Sequence, residues 1–381
     1  MIFANGAPSA TQRWVQSMCL GNHDQTAAVP VRRKVWICLS GALWGALFAP
    51  LFAFAQVPDG SRSPRPEALA PQSKERQTLI LRHQGRDWRC TLQGPRSNSA
   101  ERPLPLVLVL HGSGGDGASM LERSGWGRKA SEAGFLAVAP DAQPLHPGRP
   151  TNFLLNPRVW NSGFFDPSAP RSQINDTQFI EYLLDELGRR YAVDPSRVYA
   201  TGHSNGGGMV FRLGVELSDR LAAVAPVASV CWVDPPPLRR PIPTLLIVGT
   251  SDPLVPILGG QSVLPWGKRT TPPLGETMAK WALALGCPAG PIVHQKQNGL
   301  QTLVYKAGPE PRFTVLLVEG QGHNWPGGRR IAPVVLGPDH RGFDATETIW
   351  NFFRRHQLSD PRQPSQTPDG RRLEEPVLYV R

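Results

Sequence analysis

The sequence predicts an α/β protein with a mostly parallel sheet, helices on both faces and no large lid domain, and three observations carry that expectation. Continuous apolar runs of strand length recur at 105–110, 243–249 and 313–318, each giving way to a turn-forming or glycine-rich segment. Runs this apolar, with no strict alternation, suit strands covered on both faces. Residues 176–191 place apolar side chains at 179, 180, 183, 184 and 187, the spacing of an amphipathic helix. Arg197-Val198-Tyr199-Ala200 leads directly into Thr201-Gly202-His203-Ser204-Asn205-Gly206-Gly207-Gly208, and Met209 to Leu213 then reads as a helix.

Taken in chain order, Arg32-Arg33-Lys34, the apolar stretch from Val35 and the small-residue site Ala53-Phe54-Ala55 predict an export signal ending near Ala55. Pro50 and the cleavage-like site argue against a stable membrane anchor. Residues 56–76 read as a linker, 77–356 as the folded domain and 357–381 as a polar, proline-rich tail. Strands at 78–82 and 87–92, with a turn at Gln84-Gly85, are expected to form an antiparallel edge. Export would remove Cys19 and Cys38 and leave Cys90, Cys231 and Cys287. A Cys231–Cys287 bridge and two buried thiols both remain open.

Composition excludes several classes. With 381 residues, 40% of them hydrophobic, the chain can bury a full globular core, and it has neither a repeat period nor heptads. Net charge is +11, but the basic residues are scattered as pairs such as Arg189-Arg190 and Arg354-Arg355, with no long block or aromatic-interleaved stripe, so nucleic acid is not an expected partner.

The chemistry gathers around Ser204. Gly-x-Ser-x-Gly between a strand and a helix is a nucleophile elbow, in which small flanking residues permit a sharp turn that lifts the hydroxyl above the sheet edge. A serine hydroxyl is too weakly acidic to attack an ester unaided, so it needs a base, an acid to orient the base, and donors for the oxyanion. The run 243–249 ends in Thr250-Ser251-Asp252-Pro253, which puts Asp252 where an orienting carboxylate belongs. The run 313–318 ends in Glu319-Gly320-Gln321-Gly322-His323, which puts the base on a glycine-flanked loop at the same edge, with His340 its near rival. The run 105–110 ends in His111-Gly112-Ser113-Gly114-Gly115, where the backbone N–H of Ser113, with that of Asn205, would serve the oxyanion at about 3 to 4 kcal/mol per donor. His111 reads as a brace for this loop. The loop lacks the Gly-Lys-Ser/Thr ending of a phosphate cradle.

Leu110-His111-Gly112-Ser113-Gly114-Gly115, Val193 to Tyr199 running into Gly202-His203-Ser204-Asn205-Gly206-Gly207, Gly249 to Pro256, Gly322-His323-Asn324-Trp325-Pro326-Gly327 and the closing helix at 343–353 occur in that order. In this the chain resembles secreted esterases of the polyhydroxybutyrate depolymerase and feruloyl esterase group, within carbohydrate esterase family 1, over residues 77–356. The resemblance implies an α/β-hydrolase fold, Ser204 as nucleophile, Asp252 as acid, His323 as base, an acyl-enzyme, and no metal or organic cofactor. One departure concerns substrate. Many relatives carry a cysteine-containing stretch where Trp160-Asn161-Ser162-Gly163 here runs into Phe164-Phe165-Asp166. Trp160, Phe164 and Trp325 are the expected substrate-binding side chains. The short tail leaves no room for a polymer-binding domain, so soluble esters (feruloyl or acetyl sugar esters, or short 3-hydroxyalkanoate oligomers) are the expected substrates. Polymer hydrolysis and a non-catalytic binding module on the same fold are the alternatives, and oligomeric state is left open.

Overall fold

A computed structural model describes residues 76–95, 101–238, 240–264 and 267–358. The expected export signal, most of the 56–76 linker and the tail beyond 358 lie outside the described residues. Ten strands form one sheet. Its parallel centre contains, in spatial order, β4 (Leu136–Pro140), β3 (Leu104–Leu110), β5 (Val193–His203), β6 (Ala223–Val227), β7 (Thr244–Gly249) and β12 (Pro311–Val318). Antiparallel pairs flank this centre: β1 (Gln77–His83) with β2 (Arg86–Gln93) on one side, and β11 (Leu300–Lys306) with β10 (Val293–Gln297) on the other. The β1–β2 edge and its turn through Gln84 and Gly85, both at positive φ, match the sequence expectation.

Strand periodicity divides the core into two layers. Leu106, Leu108 and Leu110 of β3 face one layer, with Phe313, Val315 and Leu317 of β12. There they meet α3 (Asp176–Arg190) through Phe179, Ile180 and Leu183, α4 (Asn205–Glu216) through Met209, Val210 and Phe211, and α5 (Leu274–Ala284) through Met278 and Trp281. Val107, Val109, Leu316 and Val318 face the opposite layer. That layer holds α1 (Gly117–Ser124), α2 (Trp126–Ala133) and α7 (Ala345–Phe353), α6 being the four-residue turn Pro333–Leu336. Covering both faces is why β3, β4, β6, β7 and the end of β12 read as nearly continuous apolar runs.

The Leu358 N–H donates to the Ser196 carbonyl at 2.8 Å. Cys90, Cys231 and Cys287 are all buried free thiols. No helix among the described residues is long and apolar enough to cross a membrane.

Candidate active site

Parallel strands present their C-terminal ends at one edge, and the motif loops open there. Ser204 closes β5 and caps α4 at φ 55° and ψ −118°, a strained conformation for a residue with a Cβ. Close approach explains the flanking glycines. A Cβ on Gly202 would stand 2.5 Å from the Gly206 carbonyl oxygen, and one on Gly206 would stand 2.5 Å from those of Leu110 and His111.

Three side chains from three strand ends meet in one line. The Ser204 hydroxyl donates to His323 Nε2 at 2.8 Å, and His323 Nδ1–H donates to Asp252 Oδ2 at 2.7 Å. Asp252 and His323 are buried. Asp252 Oδ1 accepts the N–H groups of Leu254 and Val255, each at 2.8 Å, so both carboxylate oxygens are used. Burial pushes this carboxyl up, but the adjacent His323 and the three hydrogen bonds outweigh it and hold the group below the usual carboxylate range. The rival His340 turns away, its Nδ1 bonded to the Glu319 carbonyl at 2.9 Å.

His111 braces its loop as expected. Nε2 accepts the Ala142 N–H at 2.9 Å, which assigns the proton to Nδ1, and Nδ1–H donates to the Gly112 carbonyl at 2.7 Å. Burial lowers the imidazole's pKa, consistent with this neutral, fully used ring. Among the described residues the N–H groups of Ser113 and Asn205 donate no hydrogen bond. The following N–H, of Gly114, is taken by the Arg158 carbonyl at 2.8 Å.

Two of the expected substrate-binding aromatics have other positions. Trp160 has no exposed surface. Its Nε1–H donates to the His111 carbonyl at 3.0 Å, and its backbone is clamped by the Asn205 side chain, Oδ1 accepting Trp160 N–H at 2.6 Å and Nδ2 donating to Trp160 O at 3.0 Å. Trp325 is buried behind the histidine loop, donating to Thr346 Oγ1 at 2.9 Å. Both rings are buried and spend their indole N–H groups inside the protein. Phe164 alone of the three is open, 38% exposed, packed edge-on against Trp232 and Phe165.

His203, the residue before Ser204, is a neighbour of the candidate site that the motif did not disclose. Its Nε2–H donates to the His323 backbone carbonyl at 2.7 Å, and the two rings lie 4.9 Å apart. Desolvation, with His323 adding to it, lowers its pKa to about 3, so it holds the histidine loop as a neutral donor. Among the described residues no three His, Cys, Asp or Glu side chains gather as a metal site would require.

Strand order, elbow and edge geometry together define an α/β-hydrolase. The chain is 32% identical over 271 residues to the putative esterase NocK of Nocardia uniformis subsp. tsuyamanensis, covering 65% of this chain and 74% of that protein. It is 30% identical over 210 residues to feruloyl esterase B of Piromyces equi, covering 54% of this chain and 36% of that protein. With poly(3-hydroxyalkanoate) depolymerase C of Paucimonas lemoignei it shares 31% identity over 125 residues, 33% of this chain and 28% of that one. Among solved structures, acetyl xylan esterase from Aspergillus awamori aligns at TM-score 0.48 and 14% identity, over 70% of this chain and 94% of that one. No family model matches the chain. The chain belongs to the esterase family of the feruloyl esterases and polyhydroxybutyrate depolymerases, and it is a carboxylic ester hydrolase.

Proposed function

We propose that residues 77–356 form a serine esterase domain acting on soluble carboxylic esters through an acyl-enzyme, exported by the segment that ends near Ala55. In this reading Ser204 Oγ attacks the ester carbonyl carbon as His323 Nε2 takes its proton. Asp252 fixes the imidazole tautomer and stabilises the imidazolium. The carbonyl oxygen becomes an oxyanion received by the Ser113 and Asn205 N–H groups, and its collapse expels the alcohol, which His323 protonates. Water then repeats the sequence on the acyl-serine and releases the acid. The observation that carries this reading is the unbroken line Ser204 Oγ, His323, Asp252 at 2.8 and 2.7 Å, with the serine at positive φ. Rapid acid quenching during turnover of a short aryl ester, followed by peptide mass analysis, is expected to find the acyl group on Ser204. Turnover with an acyl group on another residue, or on none, would refute it.

A second reading, hydrolysis of a polyester surface, is favoured by one observation. Phe153, Leu154 and Leu155 form an exposed apolar tip, and Phe153 packs against Gly114 of the oxyanion loop. Charging this tip by Leu155→Asp is expected to lower turnover of suspended polyester while sparing a soluble ester. Equal effects on both would remove that reading.

A further inference from the structure

The hairpin of β8 (Gly260–Leu264) and β9 (Gly267–Thr271), inserted after the Asp252 loop, is inverted relative to an ordinary half-buried pair. Ser262, Arg269 and Thr271 point inward, 4%, 9% and 1% exposed, while Val263 faces solvent. Ser262 and Arg269 are direct cross-strand partners, and Thr271 follows two residues on along the same face. Buried polar groups are normally satisfied, yet Ser262 Oγ, Arg269 Nε and Thr271 Oγ1 have no hydrogen-bond partner among the described residues.

Arg269 is the anomaly of this group. One Nη2–H donates to the Leu254 carbonyl at 2.7 Å, and the guanidinium lies over the Trp232 ring at 5.8 Å. Among the described residues no carboxylate oxygen lies within 4.0 Å of it. The carboxylate whose charge does act on it is Asp252, which already spends both oxygens on His323, Leu254 and Val255. A buried cation whose nearest counter-charge makes no direct contact with it is costly to keep, and a carboxylate brought by a ligand would supply that contact. Aromatic contacts link Arg269 to the elbow. Trp232 bridges Arg269 to Phe164 and packs on Gly208 in the first turn of α4, one turn beyond Ser204.

We infer that Arg269 is a specificity residue that binds a carboxylate on the substrate, with Ser262 and Thr271 as supporting hydroxyl donors, so that the esterase favours esters carrying an anionic group. This rests on the esterase reading above and names the substrate class for it. The anion can sit on either portion of the ester, and two matched series separate the cases. A linear 3-hydroxybutyrate dimer against its methyl ester places the charge on the alcohol portion. An aryl hemiglutarate against the aryl butyrate places it on the acyl portion.

The readout is the ratio of kcat/KM for the anionic ester to that for its neutral partner. In the wild type one series is expected to give a ratio well above one, and Arg269→Met is expected to lower that ratio by about ten- to a hundredfold, the range of a hydrogen bond to a charged group. Arg269→Lys should restore part of it. A wild-type ratio near one in both series overturns the inference, and this arm needs no variant to fold. Equal losses on anionic and neutral esters in Arg269→Met also overturn it, because the guanidinium would then serve only to prop Leu254 and the Asp252 loop. Calorimetric binding of the free-acid dimer to Ser204→Ala, with and without Arg269→Met, separates failure of the anchor from failure of ester hydrolysis. Binding lost with Arg269 supports the anchor, and binding unchanged by its removal refutes it.

Discussion

Two loop regions meet at Asn205 and are held by different physics. The edge formed by the elbow, the Asp252 loop and the His323 loop is fixed by its own backbone: glycines where Cβ atoms would collide, a strained serine, and short loops leaving the ends of buried strands. The loop from 141 to 175 has almost no regular structure and is fixed by buried polar bonds. Arg171 and Asp176 are both wholly buried, Arg171 Nη2 donating to both carboxylate oxygens at 2.7 and 2.6 Å, Arg171 Nε–H donates to the Val159 carbonyl at 2.8 Å, and Asn161 N–H donates to Asp176 at 2.7 Å. Chemistry placed on the first kind of loop is specified locally. A pocket wall built on the second kind depends on partners far away in the chain.

Breaking the first region should cost most in rate. His323→Ala is expected to lower kcat by about five to six powers of ten, as removal of a triad member does, whereas His340→Ala should stay within about twofold. Steady-state hydrolysis of a short aryl ester checks both, and the reverse pattern would reassign the base. Breaking the second region should instead cost stability. Arg171→Met leaves the Asp176 carboxylate buried without its partner, an expected loss of about 3 to 5 kcal/mol in denaturant unfolding. The double variant Arg171→Met with Asp176→Leu should recover much of this loss. An unchanged midpoint in the single variant would mean that the pair does not hold the loop.

His203 joins the two behaviours through pH. Its folded pKa of about 3 lies below the unfolded value near 6.5, so over that window the unfolded chain binds a proton that the native one does not. Its contribution is therefore present above pH ~6.5 and lost as pH falls toward ~3, at about 1.4 kcal/mol per pH unit. Replacing it by glutamine, His203→Gln, should flatten the fall in stability between pH 6 and 4 by about one proton's slope. Parallel curves for the two proteins would assign His203 no part in it. The smallest expected effect on rate is that of Trp160→Phe, which trims a wholly buried indole to a smaller ring and deletes its hydrogen bond to His111, at about 1 to 3 kcal/mol of stability. KM across an acyl-chain series should not move with it, whereas Phe164→Ala should raise KM. A shift on Trp160→Phe as large as that on Phe164→Ala would return Trp160 to the cleft wall.

The same contrast explains what was legible in the sequence. Ser204, Asp252 and His323 each follow a buried strand within a few residues, so strand periodicity and a turn motif suffice to bring them to one edge. The central sheet was legible for the same reason. Trp160 announced only an aromatic ring. Whether that ring faces substrate or the His111 carbonyl is decided by the Asn205 amide, 45 residues away. His203 sits at the variable position of the motif, and its partner carbonyl is 120 residues distant. Arg269 lies on a short hairpin whose buried face is polar, so no apolar alternation marked it as a strand.

The role of Ser204 as nucleophile is tested most directly by kcat on a soluble short-chain aryl ester for the wild type and Ser204→Ala, both confirmed as folded by circular dichroism. A loss on the order of a millionfold is expected in the variant. Equal rates in the two folded proteins would contradict it and bring forward a binding role for the same fold.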